Sequence, residues 1–260
     1  MLRALALLAV VVPLLACATS PTGRSQLRLF PDAEMAKMGV AAYDKMKTEM
    51  KVSRDATLQR RATCVASAIV SQVSGPHANA RWEVTVFDDP SPNAFALPGA
   101  KIGVHSGLFQ VAKNQDQLAT VIGHEVAHVL AEHSNERVST QYATQTGISM
   151  VGAIMGGPSA QQEQILGLLG VGAVILPFSR AQESEADVIG LDLMSRAGFD
   201  PAASVALWRN MSAAGGGQPP EFMSTHPSHG RRIQDLEQAV PEARQVQQAA
   251  RQRGIRPACY

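Results

Sequence analysis

Aromatic side chains are scarce in this 260-residue chain, with Phe, Trp and Tyr together making 5% of it. Net charge is scarce as well: 23 Lys and Arg against 22 Asp and Glu leave +1. Nucleic-acid binding needs a basic stripe and stacking rings, so this composition excludes nucleic acid as a partner class. Cysteine is limited to Cys17, Cys64 and Cys259, none in a catalytic motif. Beyond the N-terminus there is no long hydrophobic run. The longest uncharged one, residues 165–178, has about 14 positions and is broken by glycines and a proline, short of the ~20 that span a bilayer. The surrounding Gly- and Ala-rich stretch, residues 139–176, reads as packed helices, with a membrane-dipping hairpin as the alternative.

What is present is organised around Gly123-His124-Glu125-Val126-Ala127-His128. Asn114 followed by Gln117 has the form of a helix N-cap with a capping box. On such a helix His124 and His128 share a face and can hold one metal ion. Glu125 sits about 100° round, beside the metal, where a carboxylate can deprotonate a water. Leu118, Ile122, Val126 and Val129 form the apolar back. The metzincin pattern would need Gly at 131 and His at 134, and the chain has Ala131 and Ser134. His133, extrapolated along the same helix, points toward the core and reads as a hydrogen-bonded structural histidine.

A third ligand is required, and residues 178–194 supply it. Glu183 and Asp187 are four apart on one face of a second helix. Glu183 completes a two-His, one-Glu set for one Zn²⁺ with an open fourth position. Asp187, one turn on, can accept the outer N–H of a ligating histidine. Glu185 points about 200° away and reads as solvated.

These motifs, with Thr225-His226-Pro227, Arg232-Ile233 and Asn93-Ala94-Phe95-Ala96 leading to Pro98-Gly99, resemble the gluzincin metallopeptidases that include HtpX, the CAAX prenyl proteases, BepA and LoiP. The resemblance covers roughly residues 90–235. Ala100 departs from it where many members have a second glycine, and no membrane spans separate the two metal motifs. It implies a mostly helical, zincin-like α+β fold and a zinc endopeptidase of misfolded or unfolded envelope proteins. It places residues 100–105 as the sheet's edge strand above the zinc, so Ala100, Ile102 and Val104 would bind an extended substrate by strand addition. It lets His226 approach the zinc, as a closing fourth ligand or a transition-state donor, and pairs Arg232 with an acidic group near the site. The alternative function is a chaperone or outer-membrane assembly factor with a normally closed site.

Arg3, the apolar run of residues 4–16 and the small residues ending it read as a signal peptide, residues 1–16. Leu14-Leu15-Ala16-Cys17 resembles a bacterial lipobox. That resemblance implies a lipidated Cys17, a tether over residues 17–30, a membrane anchor and the periplasmic face of a bacterial outer membrane. Residues 31–260 read as one peptidase domain, large enough for a sizeable core. Within it, helices are expected over 32–50, 55–73 and 200–211, a strand over 81–87, and a loop over 93–99. Two closing helices, 231–240 and 242–253, are divided by Pro241. Cys64 and Cys259 form an even pair that would bond in an oxidising compartment, or remain two buried thiols.

Overall fold

The computed structural model describes residues 17–154, 177–214, 221–227 and 230–260. The expected signal peptide and most of the Gly- and Ala-rich stretch lie outside the described residues. The architecture is α+β and mostly helical, with one three-stranded and one two-stranded sheet among the described residues. Among the described residues, no helix is long and apolar enough to cross a membrane.

A short hairpin, β1 (Cys17–Thr19) with β2 (Ser25–Leu27), opens the described chain. The polar tether expected here is instead packed on the body. Gln26 is buried and its Nε2 donates to the Ala131 carbonyl at 2.7 Å. Helices α1 (Asp32–Glu49) and α2 (Ala56–Val70) follow, the second capped by Asp55, which accepts from the Thr57 and Leu58 amides. The main sheet comprises β3 (Glu83–Phe87), β4 (Ala94–Leu97) and β5 (Lys101–His105) in the order β3-β5-β4.

That order corrects the sequence reading twice. Residues 94–97 are a strand, not a loop. They pair antiparallel with β5 through a turn in which Gly99 and Ala100 have φ of 87° and 62°. Strand β5 is therefore central, parallel to β3 on its other side. Ile102 and Val104 are buried in the core and Ala100 is in the turn, so none of the three is on an edge. The edges are β3 and β4, and the one beside Glu125 is β4.

Beyond α3 (Leu108–Val111) runs the metal-motif helix α4 (Gln115–Leu130). The Asn114 side chain accepts from the Gln117 amide at 2.9 Å, but Gln117 Oε1 accepts from Lys113 rather than closing a capping box. Every residue of α4 from Gln117 to Val129 is buried. This helix is the centre of the molecule rather than a half-buried one. Then come α5 (His133–Ile154), α6 (Arg180–Arg196) with a full capping box at Ser179 and Gln182, α7 (Ala203–Ala214), α8 (Glu221–Thr225) and α9 (Arg232–Gln252).

Helix α9 continues through Pro241, contrary to the expected break. A proline removes one helical hydrogen bond and strains the preceding turn. Burial of Leu236 before it and of Ala243, Gln247 and Ala250 after it keeps both halves against the body.

Cys64 on α2 and Cys259 near the C-terminus are joined by a disulfide across a separation of 195 residues. Removing it by Cys259→Ser is expected to lower stability by about 2–4 kcal/mol, since the bridge restricts the unfolded chain. Urea unfolding with and without reductant checks this. An unchanged midpoint would show that the bridge adds nothing.

Candidate metal centre

Helices α4 and α6 cross where Gly123 meets Gly190. A Cβ at Gly190 would lie 2.8 Å from the His124 nitrogen, and one at Gly123 would lie 3.0 Å from the Gly190 carbonyl oxygen. Only two glycines allow this approach, and it brings Glu183 and Asp187 of α6 against His124 of α4.

Four donor groups converge there: His124, His128, Glu183 and His226, all buried, with ligand atoms within 4.8 Å of one another. His124 Nε2 lies 3.0 Å from His128 Nε2 and 3.3 Å from His226 Nδ1. Glu183 Oε2 is 3.5 Å from His124 Nε2, while its Oε1 is 3.4 Å from His128 Nε2 and 3.0 Å from His226 Nδ1. Tetrahedral zinc with ligand bonds near 2.0–2.2 Å sets donors about 3.3–3.5 Å apart. The cluster's separations of 3.0–3.5 Å lie at or slightly inside that spacing, and its N and O donors are those zinc takes.

The remaining side chains surround this set. Asp187 Oδ1 meets the outer nitrogen of His124, Nδ1, at 3.0 Å. The Arg232 guanidinium is fully buried, giving Nη1 to Glu183 Oε2 at 2.8 Å and Nη2 to Asp187 Oδ1 at 2.6 Å. Its charge also lies 3.4 Å from the centroid of the Trp208 ring. Phe178 stacks on His128 at 3.7 Å and Phe222 on His226 at 4.3 Å, so both imidazoles are fixed in plane.

Glu125 stands apart from the donors. Its Oε2 accepts the Ala96 amide of β4 at 3.2 Å. Its Oε1 is buried without a hydrogen bond, 3.4 Å from His226 Nε2. Burial pushes this carboxyl above its ordinary value, as a proton acceptor needs. Beside it opens a cleft of about 360 Å³ lined by Met46, Met50, Phe95, Leu97 and Phe178.

The charges of the cluster predict competition between zinc and a proton. Burial opposes a charge on His124, but Glu183 and Asp187 outweigh it and raise its pKa to about 9. Burial holds His128 well below its ordinary value. Burial would raise Glu183, yet His124, His128 and His226 hold it far below the carboxylate range. Protonated His124 thus stabilises the metal-free fold below the ordinary histidine pKa, and this contribution is lost as pH rises through about 9. Zinc must displace that proton. Apparent affinity is expected to fall up to about tenfold per unit as pH drops below 9. Chelator competition from pH 6.5 to 9.5 measures it, and a flat profile would contradict the charge assignment.

The structure thus brings together His124, Glu125, His128, Glu183, Asp187, His226 and Arg232. Cys17 lies in β1, away from this cluster in the chain, and Cys64 and Cys259 are in the disulfide. Glu185 was misread: it is buried rather than solvated, because the β1–β2 hairpin covers α6. His133 is a buried, hydrogen-bonded histidine as read, but the chain turns at residues 131–132 and brings it against His128 instead of away from the motif.

The donor set and the unattached carboxylate beside it place the fold among the zinc metallopeptidases. Sequence comparison narrows this: the profile of Peptidase family M48 matches residues 53–240, and the chain belongs to that family. It is 44% identical over 165 residues to the mitochondrial metalloendopeptidase OMA1 of Schizosaccharomyces pombe, covering 63% of this chain and 48% of that one. To the human mitochondrial metalloendopeptidase OMA1 it is 30% identical over 242 residues, 87% and 46% of the two chains. To the beta-barrel assembly-enhancing protease of Escherichia coli it is 33% identical over 179 residues, 65% and 37%. The chain spans about half the length of the OMA1 relatives. Placement on a bacterial outer membrane, drawn from the leader and Cys17, is overturned by this order of similarity, in which mitochondrial enzymes precede the bacterial ones.

Proposed function

We propose that this chain is an endopeptidase of extended segments in unfolded or misfolded proteins. The observation that carries the reading is the edge of β4 beside Glu125, which pairs with no further strand among the described residues and whose outward amides meet side chains, Ala94 the Asn93 Oδ1 and Ala96 the Glu125 carboxylate. The Ala96 amide points away from β5 and meets the catalytic carboxylate, so a strand added to this edge would run past Glu125 and the donor cluster. Main-chain pairing selects for extended backbone over a particular sequence, and the apolar cleft favours chains whose hydrophobic side chains are uncovered.

His124, His128 and Glu183 would hold Zn²⁺, which when bound polarises a carbonyl and lowers the pKa of a water toward neutrality. The Ala96 amide engages Glu125 Oε2 and leaves Oε1 to take the proton of the attacking water. The same oxygen then delivers that proton to the departing amine. Asp187 and Arg232 keep His124 and Glu183 oriented throughout.

His226 favours a second reading. Its Nδ1 occupies the fourth corner of the donor set, which closes the position a substrate needs. On that reading the main work is binding unfolded or assembling proteins, with proteolysis withheld; the name of the Escherichia coli relative joins the two activities. Fluorescent casein incubated with the zinc-loaded chain separates them. Chelator-sensitive cleavage of casein, with a folded control left intact, supports the peptidase. Absent cleavage that appears in His226→Ala supports the closed site, and absence in both removes the peptidase reading.

A further inference from the structure

The two ligand histidines are oriented by different means. His124 Nδ1 meets a carboxylate directly, at Asp187. His128 meets none. Its Nε2 faces the donor cluster, so Nδ1 is its outer nitrogen, and that atom lies 2.8 Å from Nδ1 of His133. The other ring nitrogen of His133, Nε2, lies 3.1 Å from Glu185 Oε2. Both histidines are buried, at 1% and 0% exposure.

Proton placement along this line follows from the first atom. A ligating Nε2 must offer a lone pair, so the neutral His128 ring carries its hydrogen on Nδ1. His128 Nδ1–H then donates to His133 Nδ1, which leaves the His133 hydrogen on Nε2, donated to Glu185. Glu185 is fixed in turn from the N-terminal hairpin. Thr22 Oγ1 donates to its Oε1 at 2.6 Å, and Arg24 Nε donates to its Oε2 at 3.0 Å. Arg24 is itself clamped by both Glu136 oxygens, at 2.5 and 2.6 Å.

The local backbone is shaped for this contact. Helix α4 ends at Leu130, and Glu132 has a left-handed φ of 54°, uncommon for a residue with a Cβ. The turn folds His133 back under His128.

We propose that His133 is a positioning residue for the metal ligand His128, and that the β1–β2 hairpin acts on the zinc site through Thr22, Arg24 and Glu185. The inference rests on His128 being a ligand. Partners of this kind set the tautomer and basicity of a ligating imidazole, and losing one typically costs about 10–100-fold in metal affinity.

The test uses the full chain and zinc itself, read by competition with a chromogenic chelator, with the urea midpoint of the metal-free protein measured alongside. His133→Phe keeps a ring but neither accepts nor donates, and is expected to weaken zinc binding about 10–100-fold. His133→Asn places an oxygen where Nδ1 stood and is expected to recover most of that loss. Thr22→Val, at an exposed hairpin position, is expected to weaken zinc a few-fold with an unchanged metal-free midpoint. Parental zinc affinity in His133→Phe, or an equal loss in His133→Asn, overturns the proposal. If His133→Phe does not fold, Thr22→Val decides, and unchanged affinity there overturns it. A parental chain that takes up no zinc removes this inference together with the ligand set, whereas zinc binding indifferent to these variants removes the inference alone.

Discussion

Glu125→Gln is expected to slow peptide cleavage by about 10²–10⁴-fold while leaving one zinc per chain, because a positioned general base contributes on that scale. Glutamine retains the length and the oxygen that accepts from Ala96, so the local fold survives. It cannot take a proton. Zinc is retained because Glu125 is not among the converging donors. His124→Ala, by contrast, removes a donor and should lose zinc and cleavage together. The measurement is casein cleavage against zinc content for both variants. A Glu125→Gln protein that cleaves at the parental rate would remove the general-base role.

Arg232→Met is expected to lower the stability of the metal-free protein by about 3–5 kcal/mol, the range for breaking a buried ion pair from one side. The guanidinium is 1% exposed and is shared between Glu183 and Asp187. Methionine fills much of the volume but leaves two buried carboxylates with protonated His124 as their remaining cation. Burial raises Asp187, and the Arg232 charge is the largest influence holding it below its ordinary value despite that burial. Bound zinc would restore part of the lost positive charge beside Glu183, so the zinc-loaded variant should recover part of the deficit. Urea unfolding with and without zinc tests both statements. A metal-free midpoint equal to the parental one would show that the pair contributes nothing net.

Much of the site was legible because its signals are local. His124 with His128, and Glu183 with Asp187, are pairs four apart on helices, and that geometry follows from the helical repeat alone. The rest depended on contacts between distant segments. Strand β4 carries two prolines near it and reads as a loop, yet it forms because β5 supplies hydrogen bonds and the core buries Ala94, Ala96 and Leu97. The strand order then moved the substrate edge from β5 to β4. Glu185 read as solvated because periodicity describes a helix face, not what covers it, and here a hairpin more than 150 residues earlier does. Helix α9 passes Pro241 because tertiary burial on both sides outweighs a local penalty.

The sequence by itself determined which residue types stand on the reactive faces of two helices, and so the metal chemistry and the base beside it. Only the tertiary structure decided how those faces meet. The Gly123–Gly190 crossing sets the distance from His124 to Glu183 and Asp187, Arg232 reaches both carboxylates from the C-terminal helix, and His226 arrives from a short helix a hundred residues beyond the motif. Helical periodicity acts over a few residues and can be read from a line of letters. Close approach of backbones, burial of charge and strand order are properties of the packed chain, and they exist only once it has folded.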